Sequence, residues 1–131
     1  MDGKRIEIRW SDLDPLGHVN QAVYHVFAEE IADDRLRQVL GLPEGEVWDY
    51  VLVRSAIDYR SELRIADRAV VGSCKVVRIG NASVTMRLEL FTEDGRLSAE
   101  VESVIVTWDP AARTSRPISD DERVKLEAAL E

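Results

Sequence analysis

Residues 21–40 carry apolar side chains at helical spacing, and the four periodic segments that follow, up to residue 108, alternate as strands do. Ala22, Val23, Val26, Phe27, Ile31, Leu36, Val39 and Leu40 form the stripe. Asn20 is the expected N-cap, and Gly41 followed by Leu42-Pro43 is the expected stop. A helix of this length is roughly 30 Å long, enough to span a small domain. One long helix followed by a run of strands predicts an α+β fold, with an antiparallel sheet packed on that helix.

The strand patterns are explicit. In 4–10, "KRIEIRW", Ile6, Ile8 and Trp10 alternate with Arg5, Glu7 and Arg9. Segment 50–59 puts Val51, Val53, Ile57 and Tyr59 in one phase, and 68–78 is β-branched and ends at the turn dipeptide Gly80-Asn81. In 82–91, Val84, Met86, Leu88 and Leu90 face one way, and Asp94-Gly95 then signals a hairpin. The apolar phase of 96–108 shifts near Ser103, which predicts a bulge or burial on both faces. Ser119 with Glu122 reads as a capping box opening a short helix over 120–130. The whole of 1–131 reads as one domain, large enough to bury its own core. A single helix covers only one face of such a sheet. The other face, or an edge, is expected to meet a second copy, giving a homodimer at least.

Composition narrows the function. With 25 acidic and 17 basic residues the net charge is −8, and no local basic patch offsets it, so no nucleic-acid partner is expected. No run approaches the roughly 18 apolar residues of a membrane span, and "MDGKRIEIRW" lacks the pattern of a leader. One cysteine, Cys74, suits a reducing compartment, so a cytoplasmic protein is expected. Two histidines and scattered acids show no metal-ligand spacing, and neither a metal nor another cofactor is expected.

The polar cluster ahead of the helix carries the chemistry. "RWSDLDPLGHVNQ" needs one cap and one turn glycine to join a strand to a helix, yet it holds Asp12, Asp14 and His18 besides. A helix start presents unpartnered N–H groups and partial positive charge, which stabilise an oxyanion. A carboxylate from Asp14 beside a carbonyl polarised there would attack it, or take a proton from an attacking water. The arrangement suits acyl transfer to water.

The stretch Asp12-Leu13-Asp14-Pro15-Leu16-Gly17-His18-Val19-Asn20, with Tyr24 following, resembles the signature of hot-dog-fold acyl-CoA thioesterases of the 4-hydroxybenzoyl-CoA thioesterase type. It is also similar to the acyl-ACP thioesterase branch, through "RWSDLD" and "HVN". The resemblance implies a hot-dog fold, a long central helix wrapped by an antiparallel sheet, and a pocket formed between two subunits of a homodimer or homotetramer. It implies an acyl-CoA or acyl-ACP substrate. By the same resemblance Asp14 is the catalytic nucleophile or general base, and the backbone amide near Gln21 is the oxyanion donor. His18, Asn20 and Glu62 match polar active-site positions of the acyl-ACP branch. Gly17, Tyr24, Arg78 and Ser83 are implied on the substrate side, Tyr24 lining the acyl pocket and Arg78 and Ser83 near the CoA phosphates. The chain departs from the family at Leu63, where a cysteine is usual, and at Leu16, where the plant branch has asparagine.

Two other readings share the fold: an enoyl-CoA hydratase, faintly suggested by "DPLGH", and a non-catalytic acyl-CoA-binding module. Retention of an acid at position 14 argues against the second. Asp12 is expected to cap or orient the loop, Glu29 to lie on a solvated helix face, His25 to be packed or exposed, and Cys74 to be buried in a strand.

Overall fold

In a computed structural model, residues 3–131 are described, and they form an antiparallel sheet curled against one long helix. The strands are β1 (Lys4–Glu7), β2 (Tyr50–Tyr59), β3 (Ala69–Ile79), β4 (Ser83–Thr92), β5 (Leu97–Asp109) and the short β6 (Thr114–Ser115). The helices are α1 (Gln21–Leu40) and α2 (Asp120–Ala128). The sheet order is β1-β3-β4-β5-β2, with β6 added beside β5. This is the hot-dog arrangement.

Both ends of α1 follow from local chemistry. The Asn20 side chain accepts the Ala22 N–H at 2.9 Å, and Gly41 closes the helix in the left-handed region at φ 64°. The buried stripe is Tyr24, Phe27, Ala28, Ile31, Ala32, Leu36 and Leu40. Ala22 and Val26 turn outward, so the apolar arc expected of the first half is narrower than its composition suggests. Phe27, Ile31 and Leu36 pack into one core with Met86, Leu88 and Leu90 of β4 and Ile105 of β5. The helix approaches β3 so closely that a Cβ on Gly72 would overlap Ile31 Cδ1 and lie 2.9 Å from its Cγ1. Glycine is required there by space and not by a turn.

Two strand expectations are corrected, and a third is resolved between its two alternatives. The first strand stops at Glu7, because the Asp12 carboxylate accepts the Arg9 N–H at 2.8 Å and pulls residues 10–12 into a single helical turn. Trp10 leaves the Ile6–Ile8 face and is 83% exposed. In β2 the pairing with β5 shifts between Leu52 and Arg54, so Val53 is a bulge. Tyr50 and Leu52 stand opposite the core-side residues Thr107 and Ile105 before it, and Ser55, Ile57 and Tyr59 opposite Ser103, Val101 and Ala99 after it, so Val51 does not share their phase. Around Ser103 the pleat is unbroken: Val101, Ser103 and Ile105 are buried on the core side, while Val104, Val106 and Trp108 are half-buried on the outer side. The apolar shift there reflects coverage of both faces. The terminal helix opens with the expected capping box, Ser119 Oγ accepting the Glu122 N–H at 3.2 Å and Glu122 accepting the Ser119 N–H at 2.8 Å.

Candidate active site

The loop before α1 is folded on itself by backbone hydrogen bonds. Asp14 N–H donates to His18 O at 3.0 Å, Gly17 N–H donates to Asp14 O at 3.0 Å, and Asn20 N–H donates to Asp12 O at 2.9 Å. Gly17 sits at φ 83°, a backbone region that side-chain-bearing residues rarely adopt, and this lets the turn close. Asp12 is buried, with its carboxylate held by the Arg9 N–H and guanidinium, so it orients the loop. The loop then docks on the segment after β2, where Val19 N–H donates to Leu63 O at 2.7 Å.

Between these two segments and the first turn of α1 lies a cleft of about 320 Å³. His18, Gln21, Tyr24, Tyr59, Ser61 and Glu62 are among the residues that line it. The Gln21 N–H is the first of the helix, and no acceptor among the described residues meets it. Tyr59 Oη donates to the Gln21 carbonyl at 3.0 Å, and Tyr24 Oη accepts the Leu63 N–H at 3.2 Å. The two tyrosine rings meet edge to face, their centroids 5.0 Å apart. Together they tie the helix start to β2 and to the segment behind it.

Asp14 lies beside His18, whose ring lines this cleft. Its Oδ1 accepts the Leu16 N–H at 3.0 Å, while Oδ2 lies 3.7 Å from His18 Nδ1. The carboxylate is 17% exposed, and within one chain it meets the cleft through the His18 ring instead of lining it. Glu62 lines the cleft with its carboxylate paired to Arg64 Nε at 3.0 Å. Arg96 braces this wall, donating to Ser61 Oγ at 2.6 Å and to the Glu62 carbonyl at 2.9 Å.

Of the residues expected from sequence, His18, Gln21, Tyr24 and Glu62 converge on the cleft, and Asn20 caps the helix beside it. Gly17 shapes the loop without lining the cleft. Arg78 and Ser83 lie elsewhere in the chain. Ser83 pairs with Val106 and the cleft residue Tyr59 with Ala99, seven residues away on β5, or roughly 23 Å. Tyr59 and Ser61 were not anticipated as site residues. The signal for Tyr59 was its place at the end of a strand aimed at the polar loop, which pattern alone does not distinguish from a core position.

Other titratable groups are less apt for chemistry. Burial pushes the Cys74 thiol up to about 12, which leaves it unreactive at neutral pH. Among the described residues no group of three or more His, Cys, Asp or Glu side chains could hold a metal ion, and no helix is long and apolar enough to cross a membrane.

Comparison with known proteins bears on the family and the fold. The sequence profile of the thioesterase-like superfamily matches residues 8–127. A search of curated proteins gives no match. Among solved structures, a predicted thioesterase from Bacillus stearothermophilus is 28% identical, with a TM-score of 0.87 over 98% of this chain and 96% of that one. A thioesterase from Thermus thermophilus, complexed with coenzyme A and Zn, is 24% identical with a TM-score of 0.82, over 97% of this chain and 92% of that one. A 1,4-dihydroxy-2-naphthoyl-CoA thioesterase from Synechocystis is 15% identical with a TM-score of 0.77, over 95% and 93%. At that identity the last two speak for the fold alone. With a superfamily match over nearly its whole length and a hot-dog fold, the chain belongs to the thioesterase-like superfamily, and its chemistry is that of a thioester hydrolase.

Proposed function

We propose that the protein hydrolyses acyl-CoA thioesters, with acyl-ACP as the alternative donor of the same acyl group. The observation that carries this reading is the open Gln21 N–H at the start of α1, with the Asp14–His18 pair beside it. The thioester carbonyl accepts from the Gln21 amide, where the helix dipole and the free N–H stabilise the developing oxyanion. Asp14 supplies the carboxylate, either attacking the carbonyl carbon or taking a proton from the attacking water. Water oxygen ends on the acyl carbon, the C–S bond breaks, and the thiolate takes up the proton. His18 holds the space between carboxylate and cleft, and Glu62 with Arg64 forms the charged rim.

The reading includes a second copy. The outer edge of β2 pairs with no strand among the described residues, over ten residues from Tyr50 to Tyr59. Leu52, Val53 and Tyr59 are 47%, 57% and 47% exposed along it. A long edge of this kind invites antiparallel addition of another strand, and a homodimer formed there, with a tetramer as its pair, brings Arg78 and Ser83 of one copy within reach of the other's cleft. The single, buried Cys74 suits a cytoplasmic location.

The experiment is a thiol-release screen over aromatic, short, medium and long acyl-CoAs, with crotonyl-CoA watched for loss of its enoyl absorbance. Free thiol from at least one acyl-CoA, with crotonyl-CoA absorbance unchanged, is the expected result. Enoyl loss without thiol release would replace hydrolysis by hydration. Binding without either reaction would make the protein an acyl-CoA-binding module.

A further inference from the structure

A second cleft, also of about 320 Å³, lies further along the groove between α1 and β2. Its body is apolar, with Ala28, Ala32, Tyr50, Leu52, Met86 and Ile105 around it. Across this apolar surface runs one polar belt. His25 Nδ1 on α1 lies 3.0 Å from Ser55 Oγ on β2, and Ser55 pairs directly with Ser103 on β5. Ser103 faces the core between Val101 and Ile105, is 4% exposed, and lines the cleft. A serine hydroxyl lining an otherwise apolar cleft offers a bound group both a donor and an acceptor.

The charges around the belt restrict what that is. Glu29, one turn beyond His25, and Asp33, which accepts from Tyr50 Oη at 2.7 Å, both line the cleft, and no lysine or arginine does. A carboxylate-ended ligand is repelled here, whereas a neutral hydroxyl donates and accepts freely. His25 follows Gln21 by four residues, or about 6 Å along the helix, roughly the reach of a six-carbon acyl chain from a carbonyl at the Gln21 amide.

We propose that this cleft is the acyl-tail subsite, and that the His25–Ser55–Ser103 belt selects acyl groups bearing a neutral hydroxyl several bonds from the thioester. The assignment rests on the thioesterase reading for its position but is tested apart from it. Non-hydrolysable thioether analogues of 6-hydroxyhexanoyl-CoA, hexanoyl-CoA and adipoyl-CoA are titrated by calorimetry into the full-length protein and its Ser103→Ala and His25→Ala variants. The hydroxylated analogue binds the unmodified protein about tenfold more tightly than the plain one, adipoyl binds weakest, and the hydroxyl preference collapses toward parity in both variants. Equal binding of the plain and hydroxylated analogues, or a preference that survives Ser103→Ala and His25→Ala alike, overturns the subsite. A preference that behaves as expected while the matching thioesters release no thiol supports the subsite and overturns the hydrolytic reading instead.

Discussion

His18 Nδ1 stands 3.7 Å from Asp14 Oδ2 and 3.3 Å from the Val19 carbonyl oxygen. The carbonyl only accepts, so a proton on Nδ1 is directed to Val19 and the carboxylate is left one step short of a hydrogen bond. Because Oδ1 already accepts the Leu16 N–H, Oδ2 is the oxygen of Asp14 free for chemistry. The ring, which lines the cleft, thus lies beside both the carboxylate and the backbone that leads into α1.

This gives His18 a positioning role with a distinguishable signature. His18→Ala lowers kcat by about 10²-fold, the scale of a small misplacement of catalytic groups. His18→Asn, which keeps a donor near the Nδ1 position, recovers most of that loss. Steady-state thiol release for the three proteins, with KM nearly constant, is the check; a His18→Asn protein as slow as His18→Ala assigns a direct chemical role to the ring.

Asn20 is a cap by its contacts, its side chain meeting the Ala22 N–H at 2.9 Å. Asn20→Ala destabilises the protein by about 1 kcal/mol, and Asn20→Ser by much less. Urea denaturation measures this. Activity that follows stability across the two variants means that the cap alone explains the residue, whereas loss in both marks a contact with substrate.

Gly72→Ala forces a methyl group against Ile31, at a position where α1 and β3 are already in contact. It costs about 1–3 kcal/mol as an overpacked core. Adding Ile31→Val, which trims the opposing side chain, restores part of the loss in thermal denaturation. A Gly72→Ala protein as stable as its parent contradicts the close approach.

Glu122 anchors α2 to the body, its carboxylate accepting from both Arg116 Nη atoms at 2.8 Å, from Ser119 N–H at 2.8 Å and from Trp48 Nε1 at 2.6 Å. The Arg116 guanidinium, foremost among these, holds the Glu122 carboxyl down to about 2, against an ordinary value of 4.5. A carboxyl depressed on folding stabilises the protein fully above its unfolded value, and that contribution fades as pH falls from about 4.5 toward 2. Glu122→Gln loses about 2 kcal/mol at pH 7 and flattens the stability profile between those pH values. Denaturation midpoints from pH 7 to 2 measure it, and identical slopes in the two proteins would contradict the ion pair.

Local chemistry explains which parts of this fold were legible. The ends of α1 are written in Asn20 and Gly41, whose cap geometries depend on neighbouring residues alone. Alternation located β4 because its two faces differ sharply in residue type, Val84-Met86-Leu88-Leu90 against Ser83-Thr85-Arg87-Glu89. The phase of β2 was hidden, because the Val53 bulge is imposed by pairing with β5 and not by anything within 50–59. Trp10 misled for a related reason: its apolar side chain fits the strand, but Asp12 claims the backbone first. At the site, the clustering of Asp14, His18 and Asn20 was visible, whereas Tyr59 and Ser61 enter the cleft only through tertiary placement. The core-facing Ser103, conspicuous as a break in an apolar pattern, is a specific residue at a specific cleft only once β5 is laid beside β2.

The most direct test is the turnover of Asp14→Asn on the acyl-CoA that the native protein hydrolyses fastest. The substitution keeps an oxygen for the Leu16 N–H and removes the charge, so folding is retained while kcat falls by about 10²–10⁴-fold. An Asp14→Asn protein that releases thiol within a few-fold of the native rate contradicts the assignment of the carboxylate.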